Sequence, residues 1–398
     1  MWSPVGRANA LRHTYTGDHK RRPYDHRQRP ENEDTSMTNP ASSHAVSPAD
    51  GPIAVTGASG YIGSWIVRDC AEQGYTVRAC VRDPANAAKV DHLLALNSEG
   101  LRGHVELCAG DLFERGSYDA AFDGCAAVIH AGAAVGYNRE TPQEVYDGCF
   151  TEVEHVLESA RKGGMKRFVF TSSFAAVGHP RPEGYVFTEK DWCGDNIEGY
   201  RGRWTEEQIP KNRDIAYAMA KANAERMMYA VAEEDGSFDA MAILPLHVIG
   251  PLMCANHDQG WSWQNCIRYM MAGKPYKKSR GGRMLWNNVD VRDTARAHRL
   301  CAESTVAKNG SRYILSATDR TGELYTWQMQ ARLKELYPHV AEIGGEEMDG
   351  NAPAEHTYES PRSYCLLAKA ELGLETYTID DTLRATVDSY YALGLLPA

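Results

Sequence analysis

The chain has 398 residues, with 43 Lys and Arg against 53 Asp and Glu and a formal net charge of -10. That length allows a large core or two lobes, and a hydrophobic share of 43% is ordinary for a globular protein. The acidic balance argues against nucleic-acid binding, and no apolar run approaches the roughly 20 residues that span a bilayer.

Residues 1–50 are rich in Arg, His, Pro, Ser and acidic residues, with almost no apolar clustering. Such a segment buries too little surface to repay its ordering, so a disordered tail is expected, with Met37 as an alternative start. From Pro52 short apolar strands are expected at 53–55, 76–81, 104–108, 127–130 and 167–170. Helical patterns alternate with them at roughly 62–73, 85–96, 118–122 and 143–162. The alternation predicts an α/β, Rossmann-type doubly wound parallel sheet covered on both faces. A longer helix over 214–234 and a strand over 239–244 follow.

After Pro245 the rhythm breaks, and residues 251–287 are rich in Trp, Tyr, Met, Gly and Lys, as in a lid or pocket segment. Further strands are expected at 285–291 and 312–316, and helices at 294–303, 326–337, 363–372 and 379–395. The expected division is a nucleotide-binding Rossmann domain over 51–250, to which 284–316 returns. A smaller C-terminal substrate lobe would be built from 251–283 and 317–398.

The chain is organised around Val55-Thr56-Gly57-Ala58-Ser59-Gly60-Tyr61-Ile62-Gly63, where a strand ends and a helix begins. Gly57 permits a sharp turn, Gly60 leaves the backbone open to a pyrophosphate, and Gly63 lets the helix lie close to the strand. Free N–H groups at the helix start favour phosphate. The spacing is Gly-x-x-Gly-x-x-Gly, and the plain alternative is an ordinary tight turn.

At the second strand's end Arg82 offers a fork for a 2′-phosphate, Lys89 can add charge, and both favour NADPH/NADP+ over NADH. Asp83 beside Arg82 leaves some room for NADH. Asp111 and Leu112 follow the third strand, where an adenine could pack, although a turn aspartate is the simpler reading. His130, Ala131 and Gly132 end the fourth strand in small residues that allow close backbone approach, with His130 read as structural.

Tyr217 and Lys221 lie four apart on one helix face. An ammonium beside a phenol draws the phenol's pKa down towards working pH, which suits proton transfer to a carbonyl oxygen. The fifth strand ends in Thr171-Ser172-Ser173, which offers a hydroxyl to the same oxygen. Ten cysteines lack any Cys-x-x-Cys pair, so buried free thiols in a reducing cytoplasm are expected, with no metal site.

These motifs resemble the extended short-chain dehydrogenase/reductases of the NAD-dependent epimerase/dehydratase superfamily. The group most resembled contains dihydroflavonol reductases, cinnamoyl-CoA reductases and fungal aldehyde/ketone reductases. The likeness runs from residue 53 to about 316 and includes 55–65, 74–84, 168–173, Tyr217–Lys221, Leu244-Pro245 and 289–293. It implies Ser173, rather than Ser172, with Tyr217 and Lys221 as the catalytic set. It also implies that Lys221 holds the nicotinamide ribose, that Arg82 and Lys89 contact the 2′-phosphate, and that Pro245 and Val248 border the nicotinamide. The plant enzymes' asparagine position is Gly178 here, so the plant substrates do not carry over.

The reaction this implies is reversible NADPH-dependent reduction of an aldehyde or ketone, by a monomer or homodimer. Tyr137, Phe174, His179 and His247 would line an apolar or aromatic substrate pocket. A nucleotide-sugar epimerase/dehydratase, a 3β-hydroxysteroid-type dehydrogenase and a non-catalytic NADP sensor are the alternatives.

Overall fold

Strands that are apolar at every position have to be covered on both faces, and such strands make the centre of this protein. The computed structural model describes residues 43–133, 141–178, 185–194, 205–258, 262–274, 285–316, 323–344 and 362–397. In chain order the elements begin with β1 (Ile53–Thr56), α1 (Tyr61–Glu72), β2 (Thr76–Val81), α2 (Ala87–Leu94), β3 (His104–Ala109), α3 (Asp119–Phe122), β4 (Ala127–His130), α4 (Pro142–Lys162) and β5 (Arg167–Thr171). Then come β6 (Val186–Phe187), α5 (Arg213–Asp235), β7 (Asp239–Pro245), β8 (His247–Ile249), α6 (Trp263–Met271), β9 (Leu285–Asp290), α7 (Val291–Glu303) and β10 (Arg312–Leu315). The last are β11 (Glu323–Tyr325), α8 (Thr326–Leu336), β12 (Arg362–Ser363), α9 (Leu366–Leu372) and α10 (Ile379–Ala392).

Seven strands form one parallel sheet in the order β10-β7-β5-β4-β1-β2-β3. The order reverses between β1 and β4, and such a switch point opens a crevice at the C-terminal ends of the strands. Alternation sorts the side chains of each strand onto two faces. Ile53, Val55, Ile129, Val169 and Ile243 join one core with residues of α1 and α7. Ala54, Val128, Phe168, Phe170 and Ala242 join the other with residues of α4 and α5. The first half of α5 is buried almost all round, with Ala216, Ala218, Ala220 and Ala222 between 0% and 1% exposed, and α4 packs along it. The Asn212 side chain caps α5 by accepting from the N–H groups of Asp214 and Ile215, and Gly236 ends it at φ +69°.

A third, separate apolar cluster joins Leu252, Ile267, Met270, Trp286, Leu333 and Val387. It draws on α6, α8 and α10 and on the small sheet β11-β9-β8. The expected lobe at 317–398 is divided between cores: α8 and α10 join this cluster, while Ala368 and Leu372 of α9 join the first face of the main sheet. Neither β8 nor α6 stands out in the sequence pattern.

Residues 43–50, expected to be the end of a tail, pack against the sheet layer instead. Val46 is buried, its N–H donates to Ala302 O at 3.2 Å, and Lys166 pairs with Asp50 at 2.6 Å. Among the described residues no helix is long and apolar enough to cross a membrane.

Candidate active site

The glycine-rich turn leaves no room for side chains. Gly57 sits at φ +64°, and a Cβ there would lie 2.5 Å from Gly132 Cα. A Cβ on Gly63 would lie 2.1 Å from Gly57 O. The loop is tied to β2 by Ala58 N–H to Cys80 O, and the first helical bond of α1 runs from Ser64 N–H to Gly60 O. The N–H groups of Tyr61, Ile62 and Gly63 therefore have no helical acceptor, and Gly60 caps the helix without a side chain. That is the donor set a pyrophosphate needs. Ser59 is half-buried on the same loop. The Tyr61 side chain turns elsewhere and donates to Gly250 O at 2.8 Å.

At the ends of β2 and β3, Arg82 Nε pairs with Asp111 at 3.2 Å. Asp111 also accepts from Phe113 N–H at 2.9 Å, so it acts as a turn aspartate. Arg82 and Lys89 are both exposed, and Leu112 and Gly132 lie against each other beside the glycine turn. At the end of β4, Thr56 Oγ1 meets His130 Nδ1 at 2.7 Å and accepts from Gly132 N–H at 3.2 Å. His130 is fully buried, stacks on Phe170 at 5.4 Å, and is pushed down to about 3 by burial and then by Lys221. It is a neutral structural ring.

The two serines after β5 part company. The Ser172 hydroxyl donates to the buried carboxylate of Glu225, whereas the Ser173 hydroxyl accepts from Ala175 N–H at 3.2 Å and acts on the Tyr217 phenol, favouring its ionised form. Lys221 is 1% exposed, donates from Nζ to Thr171 O at 3.4 Å, and lies 4.5 Å from the Phe170 ring centre and 5.9 Å from that of Tyr217. Ser173, Tyr217 and Lys221 thus meet at the C-terminal end of β5.

The electrostatics differ from the sequence expectation. Burial raises the Tyr217 phenol above its ordinary value, and Lys221 opposes that shift without cancelling it. Burial works against the Lys221 ammonium, but the charges of Tyr217 and Glu152 outweigh it and hold its pKa above the usual lysine value.

Residues 53–316 match the NAD dependent epimerase/dehydratase family. The chain belongs to that family. It is a nicotinamide-dependent oxidoreductase. It is 30% identical over 345 residues to cinnamoyl-CoA reductase 1 of Oryza sativa subsp. japonica, covering 87% of this chain and 92% of that protein. It is also 30% identical over 355 residues to dihydroflavonol 4-reductase of Dianthus caryophyllus, covering 87% and 88%. Its fold is similar to that of Gre2 from Candida albicans, with a TM-score of 0.71 at 21% identity over 86% of this chain and 99% of that one.

Within this family frame, Pro245 and Val248 are buried where the main sheet meets β8, and Ala131 is half-buried. His247 Nδ1 accepts from Asn287 N–H at 3.1 Å, and its ring lies 4.1 Å from Trp263 and 6.1 Å from Trp286. Phe174 is buried against Phe187 at 5.3 Å, so it packs the core. Tyr137 and His179 lie outside the described residues.

Two features escape the sequence pattern. Glu225 continues the Tyr217–Lys221 face of α5 one turn on and holds Arg312 at 2.7 Å. No metal site was expected, yet His92, Cys254 and His257 come together from distant parts of the chain. Glu225 stands four residues after Lys221, and Cys254 three before His257, but their partners Arg312 and His92 come from distant segments that no spacing reveals.

Proposed function

We propose that this protein reduces an aldehyde or ketone with NADPH, reversibly, with Tyr217 as the proton donor. The observation that carries this reading is the Ser173–Tyr217 hydroxyl pair above the buried Lys221 ammonium at the end of β5. The glycine turn fits a dinucleotide, because Gly57 and Gly63 have no space for a Cβ and three N–H groups open at the start of α1. Arg82 gives its Nε to Asp111, which leaves its terminal nitrogens for a 2′-phosphate, with Lys89 adding charge. Arg82 is the reason to favour NADPH over NADH.

When bound, NADPH supplies hydride to the carbonyl carbon. Ser173 donates a hydrogen bond to the carbonyl oxygen and orients it. Tyr217 gives its proton to that oxygen as negative charge gathers there. A phenol whose pKa is raised by burial keeps its proton at neutral pH, as a donor in reduction must. The Lys221 ammonium then steadies the tyrosinate until solvent returns the proton. His247 and Trp263, both half-buried and backed by the fully buried Trp286, offer an aromatic face suited to an apolar or aromatic substrate, contributed by the smaller cluster as a substrate lobe.

The test is carbonyl-dependent NADPH oxidation over a panel of aldehydes and ketones. Tyr217→Phe should lower turnover by about 10²–10⁴-fold while NADPH affinity stays close to that of the native protein. Near-native turnover in that variant would exclude Tyr217 as the acid.

A further inference from the structure

We propose that His92, Cys254 and His257 form a binding site for a zinc-type divalent cation, with three protein ligands and a fourth position for water. One ring nitrogen of each histidine and the Cys254 sulfur all lie within 4.8 Å of one another. Tetrahedral zinc, with bonds of about 2.0–2.3 Å, spaces its ligands by roughly 3.3–3.7 Å. The three atoms therefore need to draw together by about 1 Å. One thiolate with two imidazoles is a borderline-soft donor set that suits zinc over calcium or magnesium. His92 and Cys254 are half-buried, which gives a cation a way in from solvent.

Two further observations point to a ligand. Ser64 Oγ lies 2.8 Å from His92 Nε2 and 3.3 Å from His257 Nε2, and it also donates to Ala58 O at 2.8 Å. One hydroxyl thus holds both rings in place, as an outer partner does in metal sites. His257 is 3% exposed, and its Nδ1 is buried with no hydrogen-bond partner. A buried ring with an unsatisfied nitrogen is unusual unless something else claims it.

The position gives the site a consequence. Cys254 and His257 lie on the segment after β8, which α1 already grips through Tyr61 to Gly250 O and Trp65 Nε1 to Pro251 O, each at 2.8 Å. Asn256 reaches back to Ala88 O on α2. A cation would clamp this segment to α1 and α2 just behind the glycine turn. The site is separate from Ser173, Tyr217 and Lys221, and it stands whether or not the carbonyl reading holds.

The test uses the untagged full chain, stripped with a chelator and dialysed against zinc or cobalt(II). Elemental analysis should find one zinc per chain, and cobalt should give a thiolate-to-cobalt charge-transfer band. Cys254→Ser should abolish that band, and His92→Gln should lower zinc content at unchanged far-UV circular dichroism. His92→Gln decides the matter if Cys254→Ser fails to fold. No retained zinc in the native chain, or equal zinc in native and His92→Gln proteins, would overturn the proposal.

Discussion

In Gly63→Ala the new Cβ would lie 2.1 Å from Gly57 O, 2.8 Å from Gly57 C and 3.1 Å from Ala58 Cα. All three are backbone atoms, so no side chain can rotate away. The turn and α1 must separate by roughly 1 Å to restore ordinary contact. Forcing a methyl group into a packed site costs about 1–3 kcal/mol. The displaced turn also weakens hydrogen bonds to charged phosphate, each worth about 1.5–3 kcal/mol, so losing one weakens NADPH about 10–150-fold. Gly60→Ala is the control, since its Cβ meets only Gly57 O at 3.1 Å and its φ of -83° suits any residue. It should leave the thermal midpoint near native but reduce NADPH affinity, because the methyl group intrudes where the phosphates approach. The assay is NADPH titration by fluorescence, alongside thermal unfolding without cofactor. Native affinity and midpoint in Gly63→Ala, or an equal loss of midpoint in both variants, would refute the geometry.

Arg312 pairs with the fully buried Glu225 at 2.7 Å and lies over Trp192 at 3.6 Å, so Arg312→Leu should strand a carboxylate and cost about 3–5 kcal/mol in denaturant unfolding. A loss below about 1 kcal/mol would show that Glu225 finds another partner or a proton. Burial, and then the Asp290 charge, push the Asp293 carboxyl up to about 7. The folded protein therefore holds this proton more tightly than the unfolded chain, and the stability it contributes is lost as pH rises from about 4 to about 7. Asp293→Asn should accordingly raise the thermal midpoint more at pH 8 than at pH 5, and an equal change at both would count against the shift. Cys108 lies in register with Cys80 on the adjacent strand, and that neighbouring thiol, with the Arg78 charge, draws its pKa down. Iodoacetamide near neutral pH should modify Cys108 ahead of the buried Cys80 and Cys125, and Cys80→Ala should slow the reaction; an unchanged rate would exclude that cause.

Whatever depends on local spacing was legible in the sequence. The glycine turn, the alternating strands and the Tyr217–Lys221 face repeat at short, fixed intervals, and the structure places each where the pattern puts it. Features that depend on what another part of the chain supplies were not legible. β8 has only three residues and is defined by pairing with β9, from His247 against Asn288. Phe174 reads as a pocket aromatic until Phe187 and the lack of room beside Gly178 show it packed inward. The phenol of Tyr217 was expected to move towards neutral pH because the ammonium is visible in the sequence, whereas the burial that outweighs it is not.

The same distinction explains how the two halves of the proposed catalytic set stay in register. Tyr217, Lys221 and Glu225 recur every four residues along α5, so one helix face carries the proposed acid, the cation and a buried carboxylate. Glu225 takes a hydrogen bond from Ser172 at the end of β5 and an ion pair from Arg312 on β10. Arg312 is held in turn by the carbonyls of Glu189 and Asp191 at 2.8 and 2.7 Å. The residue next to Ser173 is therefore anchored to the helix that bears Tyr217, through a charge network that also reaches the edge of the sheet. A buried pair of this kind adds little net stability, because desolvation offsets most of its attraction. What it adds is a fixed distance between strand end and helix, which the proposed two-hydroxyl site for one carbonyl oxygen requires.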